Sequence, residues 1–312
     1  MSDTKAGPEP GDAPEPQTSC GFIAIIGPTN AGKSTLVNAL VGAKVSIVSH
    51  KVQTTRMPLR GIAIVGASQL VFIDTPGIFA PRRRLDRAMV EAAWGGAQGA
   101  DMVVLLVDAA RGLDEDVERI LAGLRGAKAP VLLALNKVDR VQKERLLELA
   151  RRCNETVPFA ATFMISALNG DGVDDLKAHL ASAVPAGPWH YPEDDISDAP
   201  LRVMAAEITR EKIFERLHEE LPYHATVETT AWLEQKGGVR IEQTIYVERD
   251  SQKSIVLGKG GRMIKELSTQ SRKELRQILE KPVHLFLFVK VREGWGDDPE
   301  RYREMGLAFP KD

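Results

Sequence analysis

The stretch Gly27-Pro28-Thr29-Asn30-Ala31-Gly32-Lys33-Ser34-Thr35 directly follows a short apolar run, Phe22–Ile26. It fits the spacing G-x-x-x-x-G-K-[ST]. Small residues at a strand end let the backbone curl so that successive N–H groups point inward at phosphate oxygens. The positive end of the next helix adds to that attraction. Lys33 has the reach for β- and γ-phosphates, and the Ser34 hydroxyl suits Mg²⁺. A plain glycine-rich turn is the competing reading; a strand before the loop and a helix after it count against that.

Three further stretches share the position of a strand end. Asn136-Lys137-Val138-Asp139 follows the buried run Val131–Leu135. A carboxylate at Asp139 accepts from both N1–H and the exocyclic amine of guanine, a pattern adenine lacks. Sites built on such hydrogen bonds discriminate by roughly 10⁴-fold. Lys137 would lie along the base plane. Phe72-Ile73-Asp74-Thr75-Pro76-Gly77 supplies Asp74 for indirect Mg²⁺ coordination and the Gly77 amide for the γ-phosphate, with Ile78 next in line. Ser166-Ala167-Leu168, after Thr162–Ile165, would bring the Ala167 N–H toward guanine O6. Alone, the last motif means little; the order of all four carries the argument.

The elements that must hold these residues are legible as short apolar runs: Phe22–Ile26, Gly61–Val65, Leu70–Ile73, Met102–Val107, Val131–Leu135 and Thr162–Ile165. Continuous Val/Ile/Leu runs separated by helix-length segments predict a mostly parallel sheet with helices on both faces, an α/β domain over residues 20–184. Residues 1–19, rich in Pro, Gly and acids, hold almost nothing to bury and read as disordered. Residues 185–200, with four prolines in the surrounding stretch, read as a linker. A smaller α+β unit follows over 201–292. It begins with a helix from Leu201 to about Leu221, then an alternating hairpin. In that hairpin Tyr223, Ala225, Val227, Thr229, Ala231 and Leu233 share one face, and Lys236–Gly238 make the turn. A glycine-rich break, an amphipathic helix carrying Ile264, Leu267, Leu275 and Ile278, and a last strand, Val283–Val291, complete it. Residues 293–312 read as a tail with a short helix.

Composition narrows the classes. At 312 residues and 43% hydrophobic, the chain has material for two cored domains. Two cysteines, Cys20 and Cys153, suit a reducing compartment and give no disulfide framework. No run is long and apolar enough to span a bilayer, which predicts a soluble, intracellular protein. The net charge of −2 does not by itself suggest nucleic acid. Charge is nevertheless concentrated between Lys253 and Arg292, where ten Lys and Arg face three acids.

These motifs in this order resemble the translation-factor-related branch of P-loop GTPases. Gly258-Lys259-Gly260-Gly261 matches the GxxG loop of a KH domain, and the pairing of the two domains resembles the Era-like GTPases over about residues 20–305. The resemblance implies that Gln53-Thr54-Thr55-Arg56 holds the switch threonine that binds Mg²⁺ in the GTP state. Thr55 is the favoured residue, with Thr54 as the alternative. It implies a metal set of Ser34, Thr55 and Asp74, and catalytic roles for Lys33, Thr55, Gly77 and Asn30. It implies that a KH groove holds about four unstacked nucleotides, with Ile255, Gly258, Lys259, Gly260, Gly261, Arg262 and Lys265 as contacts. The implied partners are GTP and GDP, and the 3′ end of 16S ribosomal RNA in small-subunit assembly. The chain would act as a monomer in the cytoplasm, with peripheral association of some members at the inner membrane. Two other readings stay open: a GTPase acting on large-subunit or transfer RNA, and an RNA-binding module with a structural GTP site.

Ile78 departs from the Ras-like pattern, which has a water-orienting glutamine after the D-x-x-G glycine. An isoleucine has no hydrogen-bonding group, so hydrolysis by the chain alone should be slow. Asn30 has two readings here. In several GTPases without the glutamine an asparagine at this point helps bind K⁺ beside the phosphates; the alternative is a side chain that stabilises the loop.

Overall fold

The computed structural model describes residues 18–310. The first domain contains strands β1 Ser19–Ile26, β2 Leu59–Val65, β3 Ser68–Asp74, β4 Met102–Asp108, β5 Val131–Asn136 and β6 Ala161–Ile165. They form one sheet in the order β2-β3-β1-β4-β5-β6. All neighbours are parallel except β2, which runs antiparallel to β3 at the edge. One face is covered by α1 (Lys33–Val41) and α5 (Val173–Ala183), through Leu36, Leu40, Leu176 and Leu180. The other is covered by α2 (Arg84–Gln98), α3 (Glu115–Leu124) and α4 (Lys143–Thr156), through Ala93, Ile120 and Leu149. Both faces of the central strands are therefore buried, as their unbroken apolar runs require. The carboxyl ends of β1, β3, β5 and β6 lie together at one rim, where ligands of open α/β sheets collect.

The second domain packs α6 (Leu201–Arg216), α7 (Asp250–Leu257) and α8 (Arg262–Leu279) on one face of a three-stranded sheet. Its strands are β7 Ala225–Gln235, β8 Gly238–Val247 and β9 Val283–Val291, in that order. β7 and β8 pair antiparallel, and β9 joins β8 in parallel at the edge. Ile213, Ile245, Val256 and Leu267 form much of its core.

Four expectations need correction. The helix predicted to reach Leu221 stops at Arg216: Glu219 takes a left-handed φ of 56°, and Pro222 opens a 3-10 turn in which Tyr223 sits. The hairpin alternation does not run through unbroken, because a β-bulge lies between Thr229 and Ala231. One extra residue reverses the faces beyond it, so Trp232 turns into the core and Leu233 is left 52% exposed. The linker is not a free tether. Ile62 N donates to Ile196 O at 2.9 Å, extending the β2 edge, and buried Gln69 holds the His190 and Tyr191 backbone. Ser19, counted in the expected disordered start, belongs to β1; residues 1–17 of that expectation lie outside the described residues.

The tail is more than a short helix. After a 3-10 turn at Trp295–Asp297, α9 (Pro299–Glu304) and the residues beyond it return to the first domain. Tyr302 and Leu307 are buried there against Ala88 and Met89 of α2.

Candidate nucleotide and RNA sites

At the end of β1 the loop turns back on itself through Gly27 and Gly32, whose φ is +99°. A Cβ on Gly32 would meet Asn136 Nδ2 at 2.4 Å, so no larger residue fits. Lys33 is buried, and its Nζ donates to the carbonyls of Gly27 at 3.2 Å and Pro28 at 2.9 Å. Burial lowers its pKa to about 8, opposed by the Asp74 carboxylate. Pro28 and Ala31 are buried backbone supports, while Thr29, Asn30, Ser34 and Thr35 line the opening. On the other side of that opening stand Gln53, Thr54, Thr55 and Gly77.

Three oxygens converge beside the loop. Ser34 Oγ donates to Asp74 Oδ2 at 2.7 Å and is hydrogen-bonded to Thr55 Oγ1 at 2.9 Å. Asp74 is fully buried, and its Oδ1 has no hydrogen-bond partner among the described residues. Burial pushes its pKa up, against the Ser34 hydrogen bond and the Lys33 charge. A buried carboxylate with a free oxygen, flanked by two hydroxyls, is a donor set for a hard divalent cation. Of the two threonines, Thr55 belongs to this cluster, and the Thr54 hydroxyl donates to Lys51 O at 2.9 Å.

Several residues expected at the nucleotide also hold the fold together. Ile78 is fully buried in the core, and its N–H donates to Gly27 O at 3.1 Å. Thr75 Oγ1 donates to Ile25 O at 2.7 Å, and Pro76 is buried beside it. Gly77 packs so closely on the phosphate loop that a Cβ would sit 2.7 Å from Thr29 Cγ2. Asn136 is a strut: its Nδ2 donates to Ala31 O at 2.7 Å and its Oδ1 accepts from Ala167 N at 2.9 Å. Asn136 thus ties the phosphate loop to Ala167, the residue expected near guanine O6. Ser166 is buried and closes its own loop through Asp171 O. Lys137, at a left-handed φ of 65°, reaches Asn30 O at 2.8 Å and Asp108 at 2.6 Å. Asp139 stands exposed, with Arg140 3.7 Å away. Asn30 donates through Nδ2 to His50 O at 3.0 Å.

In the second domain Gly258, Gly260 and Gly261 all have positive φ, of 72°, 64° and 76°. A Cβ on Gly258 would meet Met263 Cβ at 2.8 Å, whereas Gly260 and Gly261 face open space. The loop is thus a bare backbone protrusion at the start of α8, with Lys259, Arg262 and Lys265 exposed around it and Ile255 55% exposed. None of these three cations has an ion-pair partner among the described residues.

Sequence reasoning missed the residues between the two domains. Arg56 is 4% exposed and donates to Ala225 O at 2.8 Å and to the Pro222 and Tyr223 carbonyls at 3.1 Å each. Its guanidinium faces the Trp295 and Phe214 rings at 5.4 and 5.9 Å. Arg210 of α6 reaches across to Thr54 O at 2.5 Å, and Glu211 accepts from Val48 N at 2.8 Å and Lys44 at 2.6 Å. Lys51 caps the end of α6 at the carbonyls of Phe214 and Leu217. The one available signal was Arg56, beside the threonines in a motif already singled out.

Lys33 gives a pH prediction. Triphosphate stabilises its charged form, so the bound pKa lies above the free value of about 8. Binding then takes up a proton between the two values. GTP affinity should be flat below about pH 8 from this cause and fall by up to about tenfold per pH unit above it. Titration calorimetry from pH 7 to 9.5 checks this, and the Lys33→Arg variant should lose the dependence.

The profile described as 50S ribosome-binding GTPase matches residues 22–137, and that described as KH domain matches residues 220–296. GTPase Era of Rhizobium meliloti (strain 1021) is 65% identical over 312 residues, covering 100% of this chain and 99% of that protein. GTPase Era of Agrobacterium fabrum (strain C58) is 67% identical over 295 residues, covering 94% and 93%. Among solved structures, an Aquifex aeolicus Era variant bound to GDP·AlF4⁻ superposes with a TM-score of 0.87 at 36% identity, covering 93% of this chain and 100% of that one. Era in complex with MgGDPNP and nucleotides 1506–1542 of 16S ribosomal RNA gives a TM-score of 0.88 at 36% identity, covering 93% and 99%. With the nucleotide motifs, the GxxG loop and full-length likeness in agreement, the chain belongs to the GTPase Era family.

Proposed function

We propose that this chain binds and hydrolyses GTP with Mg²⁺, grips the 3′ end of 16S ribosomal RNA with its KH domain, and acts in assembly of the small ribosomal subunit. The observation that carries the reading is the contact between switch and KH domain: Thr55 stands at the phosphate site while Arg56, the next residue, is buried in the second domain. The 16S assignment draws on the RNA held by the structural relative. The profile named for the large subunit spans only residues 22–137, which stop short of the loop Gly258–Gly261, and so does not choose the RNA.

Ser34, Thr55 and Asp74 would hold the Mg²⁺, whose charge neutralises that developing on the phosphates. Lys33 positions the β- and γ-phosphates, the Gly77 backbone lies where the γ-phosphate would end, and Asp139 selects guanine. Because Ile78 is locked in the core, no side chain there orients water, and turnover is slow. When the γ-phosphate leaves, Thr55 loses its partner there and the segment up to Arg56 is freed to loosen from the KH domain. A tenfold change in RNA affinity needs only about 1.4 kcal/mol of such coupling. The protein acts as a monomer, with a peripheral contact at the inner membrane; no helix among the described residues is long and apolar enough to cross one.

Crosslinking from Lys259 or Arg262 tests the RNA partner. Recovery should be dominated by the 16S 3′ end, and the exposed Lys259→Glu, Arg262→Glu pair should weaken that binding by at least about tenfold with GTP turnover unchanged. Recovery of large-subunit or transfer RNA would overturn the assignment.

The K⁺ reading of Asn30 also belongs here. The side chain that now donates to His50 O could turn its carbonyl oxygen, with switch carbonyls, toward a monovalent cation. Turnover should then be several-fold faster in KCl than in NaCl, and Asn30→Ala should abolish the difference. Equal wild-type rates in both salts would remove the idea.

A further inference from the structure

The segment that carries Thr55 runs from Ser46 to Thr55 without helix or strand, and through Ile47, Val48 and Gln53 it walls the phosphate opening. Both of its ends are held by one face of α1. Ser34 and Asn38 are four residues apart on that helix and so lie one above the other. Ser34 Oγ meets Thr55 at the far end. Asn38 holds the near end with three hydrogen bonds. Its Oδ1 accepts from Val45 N and Ser46 N at 2.9 Å each, and its Nδ2 donates to Ser46 O at 2.8 Å. The two attachments differ in kind: the Ser34 contact belongs to the candidate metal cluster, whereas the Asn38 bonds are to backbone alone. Buried apolar side chains reinforce the near end. Val45 and Ile47 are 1% and 2% exposed, and Val45 joins the core that contains Val37 and Leu40. From Val48 onward the footing changes. Val48 N donates to Glu211, Lys51 Nζ to the Phe214 and Leu217 carbonyls, and Thr54 O accepts from Arg210, all in the second domain. Among the described residues, the first domain's one hydrogen bond to this middle stretch runs from Asn30 to His50 O.

We propose that Asn38 is a positioning residue for GTP hydrolysis: it fixes a pivot at Val45–Ser46 about which Thr55 swings to and from Mg²⁺. The proposal rests on the Mg²⁺ reading of Thr55 above. A hydroxyl at the end of a loop serves a metal only in the share of arrangements that bring it there, and a fixed start raises that share. Lengthening a free loop by a few residues costs little. What Asn38 supplies is direction, because three bonds to two consecutive residues leave the chain one way to depart. The pivot also divides the junction between the domains. Lys44 lies before it, so its pairing with Glu211 and Glu274 persists in both nucleotide states. Val48, Lys51 and Arg56 lie beyond it and shift with Thr55. One part of the junction is therefore a standing hinge and the other is the part that nucleotide switches.

A double-mutant cycle on the full chain tests this, with GDPNP and GDP affinities measured by titration calorimetry in Mg²⁺. Thr55→Ala should weaken GDPNP by about tenfold and leave GDP within about twofold, because only the triphosphate state engages that hydroxyl. Asn38→Leu removes three hydrogen bonds and should show the same split, about tenfold on GDPNP and within about twofold on GDP. In the Thr55→Ala background it should weaken GDPNP no further. Asn38→Asp keeps the oxygen that accepts from Val45 N and Ser46 N, and should stay within about threefold of wild type. If Asn38→Leu does not fold, Asn38→Ala takes its place with the same expected outcome. The pivot is overturned if the Asn38 variant weakens GDPNP and GDP alike, as a residue that only supports the fold would. It is equally overturned if the variant leaves both unchanged, if its effect adds in full to that of Thr55→Ala, or if Asn38→Asp is as weak as Asn38→Leu. If Thr55→Ala itself leaves GDPNP binding unchanged, the metal reading fails, and the pivot falls with it.

Discussion

Thr55 and Arg56 are neighbours in the chain with opposite duties, and the rest of the molecule is arranged around that fact. One hydroxyl stands 2.9 Å from Ser34 at the phosphate site; the adjacent guanidinium is sealed among three carbonyls of the second domain. Burial and the nearby Arg210 charge lower the Arg56 pKa to about 9, so it is still a cation at neutral pH. A buried cation is tolerated only where its donors are met. Here carbonyl oxygens and the Phe214 and Trp295 faces meet them. Removing such partners costs about 3–5 kcal/mol, which makes the junction behave as formed or broken, with little between.

The same segment is fastened at other points. Lys44 and Lys212 share Glu211 and Glu274 in a network that joins it to α6 and α8, with contacts of 2.6 to 2.9 Å. Val48 and Thr54 bond to Glu211 and Arg210, and Lys51 caps α6. The second phosphate-sensing stretch is held as well, because the C-terminal residues Tyr302 and Leu307 lie on α2 just beyond Gly77. α8 is both the far end of the Lys44 network and the helix that begins at the GxxG loop. The phosphate site and the GxxG loop are thus joined through packed, hydrogen-bonded elements, the physical path that coupling between them would use.

Much of this was legible in the sequence because the chemistry is local. A phosphate loop needs its glycines, lysine and serine within nine residues, and a parallel strand buried on both faces must be continuously apolar. Those constraints made the sheet and the phosphate loop legible, whereas Thr55, with Thr54 as its alternative, and the role of the GxxG loop came through the family resemblance. What was not legible depends on partners far away in the chain. Arg56 was quoted with the threonines but given no task, since its carbonyl partners lie beyond residue 220. Leu233 and Trp232 were assigned to the wrong faces because a bulge shifts the alternation without a proline or glycine to announce it. The bonds that join the Ala167 and Ile78 amides to Asn136 and Gly27 likewise link segments far apart in the chain.

The central claim is that the Arg56 junction transmits nucleotide state to the RNA site. It is tested most directly by the ratio of RNA affinities in MgGDPNP and in MgGDP, measured for wild type and for Arg56→Met, which keeps the volume and removes the donors. Wild type should show a ratio of about tenfold or more, and the variant a ratio near one with GTP affinity preserved. A variant that keeps the wild-type ratio would contradict the account.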